Sequence, residues 1–509
     1  MVLLKYEGSV LPLNPGGLRR IALLGPNAAE TVVQGGGSSR VRPRPCKSIL
    51  VALREALPAN TEILLSPGCF PGEREPDPEL QALKMVGACD SSGQPRGAQV
   101  VSRGADLAMK VGSAISGVEW CRRRAMPVFR RMGWRHSDLE KVTSQMQEGA
   151  QVVAPEVDGS WPTSSAAVAA LGMATVVAAG WVIGGIVAWC AVACAAVGTG
   201  CLGLTFGRRV LQRKRTEQML SSAERTASES DASVLVLGTH GFWESEGADQ
   251  PHMGLPGRQD ELVRRVVAAS RGPVVVVLNV GSPKTMPWLD GVPAVLLAHF
   301  GGEEMAAAVA GTLLGDSSPA GRLPFTWPRG AETSPILAAA AAAAPMKPGD
   351  VEYGEGMAVG YRGFDAEAYS PGGSVLFPFG HGLSYTAFAY GSLQAQLTPA
   401  ATNGGDSGGP HARATIEVRN SGGRAGAEVV QLYLQVEDST TVLCGFKRTR
   451  VLQPGEVQVV TLELGRRQLG ESFSTPAGTW QAPASGTKLR LHVGSSLTDI
   501  RASATLAIP

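Results

Sequence analysis

Between Trp243 and Asp249 the chain runs Trp-Glu-Ser-Glu-Gly-Ala-Asp, an indole with three carboxyl groups in a single loop. Carboxyl groups crowded together, or set beside an aromatic ring, can have a pKa raised into the range where an acid gives its proton to a leaving group. Glu244 and Glu246 are thus candidates for proton transfer. Taken by themselves, the same residues are more plainly described as a solvated acidic loop. His240 and His252 flank the segment, but no Ser or Cys nucleophile arrangement and no metal-like triad accompanies them. They read as histidines lining a cleft.

Other chemistries find little to stand on. Gly35, Gly36, Gly37, Ser38 and Ser39 could cradle a phosphate, but neither GxGxxG nor GK[ST] spacing is present, so the run reads as a substrate-side loop. The eight cysteines contain no CxxC pair. Cys190 and Cys194 lie one helical turn apart in an apolar run with no nearby His or carboxylate, which suits buried or lipid-facing thiols and gives no reason to expect a metal or another cofactor. With 46 Lys and Arg against 44 Asp and Glu, nothing suggests a grip on nucleic acid; a small neutral sugar or oligosaccharide suits the balance. At the start, Val2-Leu3-Leu4 is strand-like and meets Lys5 with no long apolar stretch, so no secretory signal is expected there. Localisation stays unassigned.

The acidic loop follows a short apolar run, Ser233 to Leu237, and such runs recur. Arg20 to Pro26, Thr61 to Leu65, Pro273 to Asn279 and Ala294 to Ala298 read as strands apolar on both faces. Ser48 to Leu57, Gln259 to Ala269 and Glu303 to Leu314 read as the helices between them. The alternation predicts an α/β fold with a parallel sheet covered on both sides. A loop at the end of a buried parallel strand is a good place for a site.

An insertion, 91–216, divides that domain into 1–90 and 217–390. From Ala166 to Gly207 it carries no charged side chain, and Arg208, Arg209, Arg213, Lys214 and Arg215 follow. A charge-free stretch longer than about 18 residues is a transmembrane candidate, with the basic cluster on the cytoplasmic side. Its Ala, Gly and Val content and its place inside a soluble domain equally suit a segment foreign to the fold, such as translated intron. After Thr398 to Pro410, a Gly-rich linker, the pattern becomes short alternating runs at Ala414 to Val418, Val429 to Val436, Val457 to Leu464 and Leu489 to Val493. These predict an all-β sandwich within 391–509.

Several longer segments occur in a particular order: LLKYEGSVLPLNP with IALLGPNA, GGGSSRV, EGADQPHMGLPGRQDELV, VVVVLNVGSPKTMPWLD, VPAVLLAHFGGEE, LLGDSSPAGRLPFTWP, YGEGMAVGYRGFD and FPFGHGLSYTAFAY. This series resembles family 3 glycoside hydrolases, the β-glucosidase and β-xylosidase group, and VRNSGGRAGAEVVQLYL with LCGFKRTRVLQPGE is similar to the fibronectin type III-like domain that follows in that family. The resemblance covers nearly the whole chain apart from the insertion. It implies a six-stranded α/β sandwich that in full-length relatives packs on an N-terminal (β/α)8 barrel, with the sugar site between them.

Retaining hydrolysis needs two carboxyl groups about 5 Å apart on opposite sides of the bond. The resemblance implies that the nucleophile is an aspartate of the barrel, which has no counterpart in this sequence, so a barrel domain in cis or in trans is needed. It also implies that Glu246 is the acid/base, with Glu244 as fallback, and that Trp243 and Asp249 bind substrate. The family usually has Arg after the Asp; Gln250 stands here, which removes a fixed positive charge beside the loop. His381 reads as a structural histidine joining the domains and Trp288 as a packing residue. The expectation is a β-glucosidase-like hydrolase of terminal β-linked sugars; the alternative is a catalytically inactive, carbohydrate-associated or membrane-tethered interaction module.

Overall fold

A computed structural model of the protein describes residues 1–38, 40–69, 213–246, 250–334, 356–398, 411–474, 476–481 and 483–509. The apolar runs become strands of one sheet: β1 (Val2–Tyr6), β2 (Arg20–Leu24), β3 (Glu62–Ser66), β4 (Ala232–Gly238), β5 (Val274–Asn279) and β6 (Ala294–Leu297). They lie in the order β1-β6-β5-β4-β2-β3. β2 to β6 run parallel, as their apolar faces predict. β1 departs from the all-parallel expectation and pairs antiparallel with β6, Val2 opposite Leu297. It joins at the sheet's edge, without the crossover helix that makes neighbouring strands parallel.

Four helices cover the sheet: α1 (Ile49–Ala56), α2 (213–228), α3 (Gln259–Ala269) and α4 (Met305–Leu314). Helix α1 begins where the Ser48 hydroxyl accepts the Val51 N–H at 3.3 Å. Because strand side chains alternate, Leu235, Leu237, Val276 and Leu278 face Leu220 of α2 and Leu262 of α3, while Val234, Val236, Val275 and Val277 face Ile49 of α1 and Val309 of α4. Trp288 is buried in the first of these cores and donates its indole N–H to Asp260 at 2.7 Å, a packing role as its sequence context suggests.

Arg213, Lys214 and Arg215, grouped by sequence with the basic end of the insertion, lie in α2. The candidate membrane segment 166–207 lies outside the described residues. Among the described residues no helix is long and apolar enough to cross a membrane, so the membrane-span expectation finds no support there.

A short pair, β7 (Trp327–Pro328) with β8 (Val375–Phe377), leads to the second layered unit. There β9 (Phe388–Tyr390), β10 (Gln394–Thr398), β11 (His411–Asn420) and β14 (Val457–Leu464) form one antiparallel sheet. A second contains β12 (Val429–Val436), β13 (Val442–Arg448), β17 (Lys488–Gly494) and β18 (Ile500–Ala507); β15 (Ser472–Ser474) and β16 (Thr479–Gln481) make a separate hairpin. Inward residues of both sheets, Ile416, Val418, Leu432, Val460 and Leu491 among them, share one core. The linker residues 399–410 lie outside the described residues.

Side chains between the α/β part and the sandwich are buried and paired. Arg322 bonds Glu428 with side chains only 9% and 5% exposed, and Gln431 Nε2 donates to Gly380 O at 3.1 Å. The His381 ring stacks on Phe377 and its Nε2–H donates to Leu4 O at 2.8 Å, so this histidine fastens the segment entering the sandwich to β1.

Candidate active site

In the parallel part of the sheet the chain proceeds from β2 outward to β3, then returns to β4 and continues the other way through β5 and β6. Loops leaving the C-terminal ends of β2 and β4 therefore diverge on opposite sides and open a crevice, the usual ligand position in such sheets. The loop after β2 carries Gly35 to Ser38. The loop after β4 carries His240 to Glu246. The two run against each other backbone to backbone: Gly36 N donates to Glu244 O at 2.9 Å, and Gly36 bridges Ser245. A Cβ on Gly36 would lie 1.9 Å from Gly241 O, so only glycine permits this approach. A cavity of about 940 Å³ opens here, with Gly37, Arg42, His240, Phe242 and Ser245 in its wall.

The two glutamates occupy different environments. Glu244, with a side chain 10% exposed, accepts Thr239 Oγ1 at 2.6 Å, Gly281 N at 3.1 Å and Ser282 Oγ at 3.2 Å, and its Oε1 lies 3.6 Å from Lys284 Nζ. Its lone pairs are committed to holding two loops together. Glu246 is exposed, and its Oε2 accepts the Ser38 N–H at 2.9 Å and the Ser38 hydroxyl. Both donors come from the neighbouring loop, so β2 contributes directly to how this carboxylate is aimed.

Trp243 lies half-buried with its ring edge-on to His252, centroids 5.2 Å apart, and its buried indole N–H has no hydrogen-bond partner among the described residues. The aromatic in the cavity wall is instead Phe242, 76% exposed, a residue the sequence reasoning passed over. Asp249 lies outside the described residues. Gln250 does not leave the loop without a cation: Lys284, fully buried, donates to Gln250 Oε1 at 2.5 Å. Burial lowers the Lys284 pKa from its ordinary value, opposed by the attraction of Glu244.

The loops are tied to the strand ends by residues that the sequence reasoning did not single out. Asn279, the last residue of β5, accepts Asn27 Nδ2 and Val32 N, each at 3.1 Å, and donates to Val32 O at 2.8 Å and His299 O at 2.7 Å. Every hydrogen-bonding position of that amide is used. The signal was present: an asparagine ending a four-valine strand is a polar group carried into a core, where it must find partners. His299 leaves β6 with φ of 56°, a conformation uncommon outside glycine, and burial lowers its pKa. Among the described residues no group of His, Cys, Asp or Glu could hold a metal ion.

The architecture is therefore that of a doubly wound α/β domain with a carboxylate-bearing cleft at its switch point, followed by a β-sandwich. Residues 1–385 match the glycosyl hydrolase family 3 C-terminal domain and residues 428–497 the fibronectin type III-like domain; the chain belongs to glycosyl hydrolase family 3. A β-glucosidase of Rhizobium radiobacter is 32% identical over the whole of this chain and 61% of its own length. The crystal structure of a Kluyveromyces marxianus β-glucosidase superimposes with a TM-score of 0.51 at 32% identity, over 58% of this chain and 33% of that one. DesR, a β-glucosidase from Streptomyces venezuelae solved with D-glucose, is similar in fold, with a TM-score of 0.62 at 23% identity and a match covering 100% of this chain and 58% of its own. The chain thus spans about three-fifths of the Rhizobium relative.

Proposed function

We propose that this chain supplies the acid/base half of a retaining β-glucosidase acting on terminal, non-reducing β-linked glucose or a similar sugar, with the nucleophile coming from a family barrel domain in cis or in trans. One observation carries the reading. Of the two loop glutamates, Glu246 stands exposed next to Ser245 of the cavity wall and, among the described residues, its carboxylate takes donors from Ser38 alone, whereas Glu244 is consumed by four partners. In the first step the Glu246 carboxyl gives its proton to the glycosidic oxygen as the bond to the anomeric carbon breaks. In the second, its carboxylate takes a proton from the water that attacks the glycosyl-enzyme. Asp249 and Trp243 are proposed to contact the sugar, on the strength of their match to the family's acidic loop.

The test joins the chain to the barrel region of the Rhizobium radiobacter β-glucosidase and measures hydrolysis. Glu246→Gln is expected to lower kcat/KM on alkyl glucosides, whose leaving groups need the proton, by about 10²-fold or more. Activated aryl glucosides should lose far less in kcat/KM, and azide, which needs no base, should accelerate their turnover. Equal loss on both classes would move the acid/base role to Glu244 or elsewhere. No hydrolysis by the wild-type assembly would favour the inactive interaction module.

A further inference from the structure

A fully buried ammonium must give each of its three N–H groups an acceptor. Lys284 meets this need within one cluster by two hydrogen bonds and an ion pair: its Nζ donates to Gln250 Oε1 at 2.5 Å and to Ser282 Oγ at 2.8 Å, and lies 3.6 Å from Glu244 Oε1, a charge contact too long for a hydrogen bond. The Ser282 hydroxyl is itself saturated, accepting from Gln250 Nε2 at 2.9 Å and donating to Glu244 Oε2 at 3.2 Å. Glu244 and Gln250 flank the segment that carries Glu246. One side chain, rooted in the loop after β5 and held there by Trp327 Nε1 on the Lys284 carbonyl at 2.9 Å, thus grips both ends of that segment.

We propose that Lys284 is the positioning residue of the acid/base loop: its charge, rather than its bulk, clamps Glu244 to Gln250 and sets where Glu246 is presented. The proposal rests on Glu246 being the acid/base. A methionine at 284 has nearly the same length and would fill the same space. It would leave Glu244 a buried carboxylate without its cation and Gln250 without its donor, and the clamp would open.

Hydrogen exchange across 240–250 of the full chain tests the clamp without any need for activity. Lys284→Met is expected to raise exchange there about 10-fold or more while β4 to β6 keep their protection. Lys284→Met with Glu244→Gln removes the unpaired buried charge, and so stays folded if the single variant does not; exchange near Gln250 should still be high. Adding Gln250→Arg to Lys284→Met returns a cation to the cluster and should slow exchange again. Unchanged exchange in the folded methionine variants, or no slowing on adding the arginine, overturns the proposal. In the barrel-completed enzyme, Lys284→Met should cut kcat/KM on alkyl glucosides at least about 10-fold more than on activated aryl glucosides, a ratio unaffected by the fraction of folded enzyme. Equal loss would reduce Lys284 to a structural part and also overturn it. If Glu246→Gln itself lacks the leaving-group signature, the acid/base reading fails, and the exchange result still reports on the clamp.

Discussion

Glu246 owes its placement to what glycine lacks. Gly37 has φ of 85°, and a Cβ built on it would lie 2.5 Å from the Glu246 Cβ. Gly37→Ala should therefore push the acidic loop out of position, besides costing about 1–2 kcal/mol for a left-handed alanine. The expected result in the barrel-completed enzyme is a loss of kcat/KM on alkyl glucosides that exceeds what the fall in thermal stability accounts for; unchanged kinetics would mean that Ser38 does not aim Glu246. At this scale the sequence was informative about residue type and poor about role. Both loop glutamates were legible, yet the difference between them lies in Thr239, Gly281, Ser282 and Lys284, and hydrogen-bond partners from separate loops leave no trace in spacing. The loss of fixed charge expected from Gln250 is offset by Lys284, which sequence separation hid.

Among the elements, β12, β14 and α3 fall where their periodicity places them, because each has a clear apolar face and turn residues at both ends. Strand β13 was not read as a strand: its residues are half-buried or exposed throughout, so it lacks the alternation that marks a sheet surface. The antiparallel course of β1 was not legible either, since an apolar run has the same composition in either direction. What makes the sheet a platform for the site is the amide that ends β5. Asn279→Ala would leave Val32 N and O and His299 O without their bonds in a partly buried setting. A loss of about 3 kcal/mol in denaturant unfolding is expected, because a buried polar group left unsatisfied costs roughly 1–3 kcal/mol. A loss within a few tenths of a kcal/mol would mean that water replaces these bonds freely.

At the scale of the whole molecule, the α/β part and the sandwich are joined by polar groups withdrawn from solvent, the Arg322–Glu428 pair and His381 foremost. Burial holds the His381 pKa below its ordinary 6.5, only partly opposed by the bond to Leu4 O. The unfolded chain therefore takes up this proton first as pH falls below about 6.5, and stability contributed by the neutral ring is lost on acidification by at most about 1.4 kcal/mol per pH unit. Urea unfolding between pH 7 and pH 5 should decline more steeply for wild type than for His381→Gln, which keeps a donor for Leu4 O but does not titrate; parallel declines would assign the acid sensitivity to other groups. The two-part organisation itself was legible, because strands separated by helices and strands separated by turns differ in period and spacing. The polar junction between them was not, being made of residues distant in sequence.

The pairing of β1 with β6 also has a consequence in time. Lys5 and the Leu289 carbonyl that it reaches are 284 residues apart in sequence. At roughly 5–20 residues per second on the ribosome, β1 waits on the order of 15–60 s between its own emergence and that of its partner. Throughout that interval Val2, Leu3 and Leu4, all buried in the finished fold, have no sheet to enter, and the nascent chain offers them as a handhold to chaperones or to a neighbouring nascent chain.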